Sequence, residues 1–106
     1  MYQYAAVLRR IVDADTVVLD LDLGFYQHRL GRSYRLARVN APEMSTPEGV
    51  AARAALVEHL APVTAFQVAT QKADSFDRWI VELYADGGNV SDWLVASGFA
   101  EYHTYR

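Results

Sequence analysis

Hydrophobic and polar positions follow two different periods along the chain. "AAVLRRIV" (5–12) and "TVVLDLDL" (16–23) are rich in β-branched and aliphatic residues and predict two strands. In the second, Val17, Leu19, Leu21 and Leu23 alternate with Val18, Asp20 and Asp22, a period of two with one mostly wet face. "GFYQHRLGRSYRLARV" (24–39) follows, and its Gly31 predicts that the third strand starts late, near Ser33 or Tyr34. The period then lengthens. Val50, Ala54, Val57 and Ala61 recur at helical spacing. Thr46 can cap this helix, Pro47 suits its first position, Glu48 favours its N-terminal end and Pro62 stops it. "VTAFQVAT" (63–70) and "RWIVELYA" (78–85) read as strands, and "DGG" (86–88) as a turn. Asn89 can cap a short second helix, "VSDWLVASG", which Gly98 ends. Trp79, Trp93 and Phe99 are most simply core.

The resulting order, β-β-β-α-β-β-α, predicts a mainly β protein with helices: a five-stranded, partly open barrel of the OB type. An α+β sandwich would satisfy the same order. With 106 residues there is room for a single domain, 1–106, that buries roughly two thirds of its unfolded surface. There is no cysteine, which excludes disulfides and thiolate metal sites. No apolar run approaches the roughly 20 residues of a helical membrane span, and the first residues do not read as a signal peptide, so a cytoplasmic location is the default. A monomer is expected. The net charge of −3 argues against a protein that merely coats nucleic acid. The basic residues are nonetheless biased, nine arginines against the single Lys72, and a guanidinium suits bidentate contact with phosphate or carboxylate.

Three polar stretches carry candidate chemistry. In "VDADTV" (12–17), Asp13 and Asp15 stand two apart at a strand junction and could hold a hard cation such as Ca²⁺ or Mg²⁺; on spacing alone an Asx-turn between two strands is the simpler explanation. In "RLARVNAPE" (35–43), Arg35 and Arg38 precede an Asn-Ala-Pro elbow that delivers Glu43. Pro42 pushes Ala41 towards an extended conformation, which positions the Glu43 carboxylate as a general base or water-orienting group requires. In "KADSFDRW" (72–79), Arg78 opens a strand beside two acids, as a surface ion pair would. Tyr102 and Tyr105 in the tail could stack on a base. His28, His59 and His103 fall in a loop, a helix and the tail without metal-ligand spacing. An acid pair, placed arginines and a positioned glutamate together make an inventory for phosphodiester cleavage.

"VDADTVVL", "RLARVNAPE", "TPEGVAARAAL", "ADSFDRW" and "DGGNVSDWLVASGFAEY" resemble, in that order, the staphylococcal nuclease (thermonuclease) family, over about residues 7 to 102. The resemblance implies an OB-fold nuclease that uses Ca²⁺, with Mg²⁺ or Mn²⁺ as alternatives, and cleaves DNA and RNA to leave 3′-phosphates. It places the catalytic arginines on Arg35 and Arg78 and the catalytic glutamate on Glu43. The metal ligands fall on Asp15, Asn40 and the Ala41 carbonyl, with Asp13 helping to hold metal-bound water. Asn40 replaces an acid and lowers the charge offered to calcium. Ala14 replaces a glycine. Ser75 and Phe76 replace a lysine and a tyrosine that hold the substrate's terminal phosphate, and Phe76 can stack but not donate. A catalytically inactive nucleic-acid- or protein-binding module of the same family is the alternative.

Overall fold

A computed structural model describes residues 3–75 and 78–103; the side chains of residues 71–75 and 78 lie outside that description. Three long antiparallel strands come first: β1 (Gln3–Asp13), β2 (Thr16–Gly24) and β3 (Gln27–Leu36). A two-residue strand, β4 (Val39–Asn40), precedes helix α1 (Pro47–Leu60). Then come β5 (Phe66–Ser75), β6 (Arg78–Ala85), the short β7 (Gly88–Asn89), helix α2 (Val90–Ala96) and the short β8 (Glu101–Tyr102). The main sheet runs β3-β2-β1-β5-β6-β7, and β3 also pairs in parallel with β6. That pairing makes a closed five-stranded barrel with two helices, the expected OB-type architecture. β4 and β8 form a separate ladder beside the barrel.

The simple alternation fails at the start of β2, where Thr16 to Leu19 are all buried, Val18 included. Towards the hairpin end Leu23 is exposed. β3 starts earlier than the glycine suggests, so that His28 lies on a strand and not in a loop. Leu30 and Gly31 stand opposite the single residue Asp20, with Gly31 at φ 65 and its N–H donating to the Asp20 carboxylate at 2.6 Å. Gly31 thus marks a β-bulge inside the strand, where one residue must take a left-handed conformation. The two-residue turn before it is Phe25-Tyr26, at φ 53 and 62. Such a turn suits the right-handed twist of the strands but is ordinarily built from Asn-Gly, and each bulky residue there costs roughly 1–2 kcal/mol of backbone strain.

Thr46 caps α1 as expected, accepting from the Gly49 N–H at 3.0 Å. The buried stripe differs from the expected one: it is Gly49, Ala52, Leu56 and Leu60, while Val50 and Val57 are exposed. Both stripes are apolar at helical spacing, and the one bearing the two leucines buries more area. β6 has the expected bounds, whereas β5 starts at Phe66, after residues 63–65. Asn89 caps α2, accepting from the Asp92 N–H at 3.0 Å, and Gly98, at φ 81, closes it. The N–H groups of Phe99 and Gly98 satisfy the carbonyls of Leu94 and Val95. Leu19, Leu36, Leu56, Ile80, Leu83 and Leu94 fill the interior. Trp79 is 38% exposed, contrary to the expectation of core, because it sits near the open end of β6. Trp93 and Phe99 flank the core, Trp93 stacking on His59 with ring centroids 3.8 Å apart.

Arg38 ties the turn between β3 and β4 to β6 and α2. Its guanidinium forks onto the buried Glu82 of β6, with Nε at 3.0 Å and Nη2 at 2.8 Å, and reaches Asp92 of α2 at 2.9 Å. Asn89 donates to the same Glu82 carboxylate at 2.8 Å. Arg38 is thus an ion-pairing residue, turned to β6 and α2.

Candidate nuclease site

The β1–β2 turn, the end of β3 and the elbow after β4 meet at one end of the barrel. Antiparallel register sets Arg35 opposite Thr16, and the Leu36 N–H donates to the Asp15 carbonyl at 2.8 Å, fixing the turn on β3. Asp15 is 5% exposed. One of its carboxylate oxygens accepts from the Thr16 hydroxyl at 3.3 Å; the other accepts from the Ala41 N–H at 3.0 Å and pairs with Arg35 Nη1 at 3.3 Å. Arg35 Nη2 in turn donates to the Asn40 amide oxygen at 3.2 Å. The guanidinium thereby bridges turn and elbow. Asp13 accepts from the Asp15 N–H at 3.2 Å, and burial together with the neighbouring Asp15 pushes its carboxyl up to about 6.

The elbow has its own scaffold. The Glu43 carbonyl accepts both the Thr46 N–H at 3.0 Å and the Thr46 hydroxyl at 2.7 Å. Gly49 lies directly beneath it: a Cβ there would run into the Glu43 carbonyl and stand 2.8 Å from the Pro42 oxygen. The Glu43 side chain is exposed, with no hydrogen-bond partner among the described residues. Asn40 pairs in register with Glu101 of β8, and the elbow borders a cleft of about 350 Å³ lined by Asn40, Ala41, Pro42 and residues 98–101.

The structure therefore brings Asp13, Asp15, Arg35, Asn40 and Ala41 together, with Glu43 on the adjoining turn. Arg78 opens β6, one residue before the pairs Tyr34–Trp79 and Arg35–Ile80, so its main chain starts beside the strand that carries Arg35. Its side chain, Phe76 and Tyr105 lie outside the described residues. Tyr102 is turned to α2: its hydroxyl donates to Asp92 at 2.9 Å, and its ring faces Arg38 at 5.8 Å. Among the described residues, no group of three or more His, Asp or Glu side chains converges to hold a metal. The sequence reading missed Gly49; its signal is a glycine in the first turn of a helix, where no backbone conformation requires one.

A family model described as staphylococcal nuclease homologue matches residues 33–106, more than half of the chain. The chain belongs to that family. No individual curated protein matches it. Nuclease-type chemistry and nucleic-acid binding are the general setting of this family. In this nuclease homologue the family match takes in Arg35, Asn40, Ala41, Glu43 and Arg78, while Asp13 and Asp15 precede it and join the site through their contacts.

Proposed function

We propose that the protein is a divalent-metal-dependent phosphodiesterase that hydrolyses DNA, RNA or both with little sequence preference and leaves 3′-phosphates. The observation that carries this reading is the bridge made by Arg35 between Asp15 and Asn40, on the elbow that ends in Glu43. Asp15, Asn40, the Ala41 carbonyl and Asp13 are an all-oxygen donor set on one turn and one elbow, which fits a hard cation, Ca²⁺ first, with Mg²⁺ or Mn²⁺ as substitutes. When bound, such a cation supplies Lewis acidity at a phosphoryl oxygen. Glu43, free of protein partners among the described residues, accepts a proton from the attacking water or orients it in line with the leaving 5′-oxygen. Arg35 and Arg78 donate to the phosphoryl oxygens as charge develops on them. Phe76, Tyr102 and Tyr105 are the candidate contacts to the bases.

The decisive experiment is incubation with DNA and RNA in Ca²⁺, Mg²⁺, Mn²⁺ or chelator, beside Glu43→Gln, Arg35→Ala and Arg78→Ala. Cleavage that needs metal and falls about a hundredfold or more in each variant is expected. Activity near wild type in all three would refute the reading.

One observation favours a second reading, an inactive nucleic-acid-binding module. Asn40 brings no charge, and its amide oxygen is already engaged by Arg35. Oligonucleotide binding that ignores chelator, with no cleavage under any metal, would decide for it.

A further inference from the structure

From the β2–β3 hairpin we infer a second nucleic-acid contact, a single-strand stacking site at the end of the barrel remote from the candidate nuclease site. The inference rests on the nucleic-acid reading of the preceding section.

The tip of the hairpin carries Phe25 and Tyr26, which are 97% and 101% exposed. Both sit at positive φ, where small or polar residues are the ordinary choice. Two aromatic rings are thus held out in solvent by a backbone conformation that opposes their presence, and neither packs on the protein. Strain kept at an exposed position points to a use outside the fold.

The same hairpin carries positive charge. Register sets Arg29 opposite Leu21 and Arg32 opposite Leu19, on the side that faces the core further along the strand. Here the hairpin overhangs the barrel, and Arg32 is exposed. Among the described residues no carboxylate pairs with Arg29 or Arg32. The acids nearby are committed: Asp20 to Arg9 at 3.2 Å and to the Gly31 N–H, Asp22 to the Gly24 N–H at 2.9 Å. Arg29 lies 5.7 Å from the centre of the Tyr34 ring, whose buried hydroxyl has no hydrogen-bond partner among the described residues. In a chain of net charge −3, two guanidiniums next to exposed rings form a local exception.

Rings that stack with any base, beside guanidiniums that meet phosphates, are the elements of sequence-tolerant binding to a single strand. A second copy of the chain fits less well. Two rings offer a few hundred Å² at most, well short of the roughly 800 Å² per partner of a stable interface. Nine residues separate Tyr26 from Arg35, about 30 Å along the strand, so the contact lies outside the reach of a single nucleotide held at Arg35.

The test is fluorescence anisotropy of a labelled oligothymidylate of about twenty nucleotides, in chelator so that nothing is cleaved. Phe25→Asn/Tyr26→Gly installs the preferred turn residues and keeps the hairpin. It should weaken binding about tenfold or more while thermal stability holds or rises. Arg32→Gln should weaken binding and flatten the salt dependence by about one unit of slope. Cleavage of a small chromogenic phosphodiester should be unchanged in both. Unaltered oligonucleotide affinity in the double variant would overturn the inference and leave the nuclease reading standing if the metal-dependent cleavage persists. Loss of all cleavage in the wild type, with tip-dependent binding retained, would refute the nuclease reading alone. Self-association or binding to anionic phosphatidylglycerol vesicles that the double variant abolishes, without change in DNA affinity, would also overturn it.

Discussion

Gly49, in the first turn of α1, lies against the main chain of Glu43 with no room for even a methyl group between them. The helix start and the elbow are therefore one unit, and the direction in which Glu43 leaves the elbow depends on an atom that is missing six residues later. Within a helix Gly→Ala normally stabilises by roughly 0.5–1 kcal/mol. Here the opposite is expected. Gly49→Ala should destabilise by about 1–3 kcal/mol, because backbone must shift to admit the Cβ. Under the proposed function, cleavage should fall further than the unfolded fraction accounts for. Urea titration and single-turnover cleavage on the same sample would separate the two effects.

Arg38 offers a test of packing by charge. Arg38→Ala leaves the buried Glu82 with Asn89 as its main partner and should cost about 3 kcal/mol in urea denaturation. Arg38 also sits at φ 66, so Arg38→Gly should cost about 1 kcal/mol less than Arg38→Ala. Equal losses would mean that the backbone strain at this position is negligible.

Asp13 predicts a slope in the pH profile of the metal-free protein. Its carboxyl rises from 3.8 to about 6 on folding, so between those values the folded chain holds more protons than the unfolded one. Stability from this group is fully present below 3.8 and is lost as pH rises through about 6. In chelator, Asp13→Asn should flatten the profile in that window and stabilise the protein at neutral pH by about 1 kcal/mol, a figure reduced for solvent screening. Thermal melts across the range would read it. A variant with an unchanged slope would assign the effect elsewhere.

Under the proposed function, Asn40→Asp adds a charge beside Asp15 and should raise calcium affinity roughly tenfold, measured by calorimetry. Because Asn40 now accepts from Arg35, the new carboxylate would also hold that guanidinium more firmly. Unchanged affinity would place the metal elsewhere.

Much of the frame was legible in the sequence because it rests on local rules. The caps at Thr46 and Asn89 follow from side chains reaching their own backbone neighbours, and the stop at Gly98 from the left-handed conformation that glycine adopts freely. The misjudgements share a cause, which is that the deciding contact lies far away in sequence. Gly31 looks like a strand breaker until Asp20 is placed opposite it, and the buried stripe of α1 is ambiguous until the barrel is present. The candidate site divides in the same way. Residue types showed Glu43 and the two acids, whereas the contact of Arg35 with Asp15 depends on a hairpin register with two irregularities in it.

The parallel pairing of β3 with β6 joins residues 34–36 to residues 79–81, across the whole of α1 and β5. Closing so long a loop carries a large entropic cost before any contact repays it, which makes it a natural late event in folding. Arg35 lies on one side of that seam, and the strand opened by Arg78 lies on the other. Refolding that begins at the first hairpin would recover secondary structure before it recovers any activity that needs both strands. The return of catalysis would then time the sealing of the barrel.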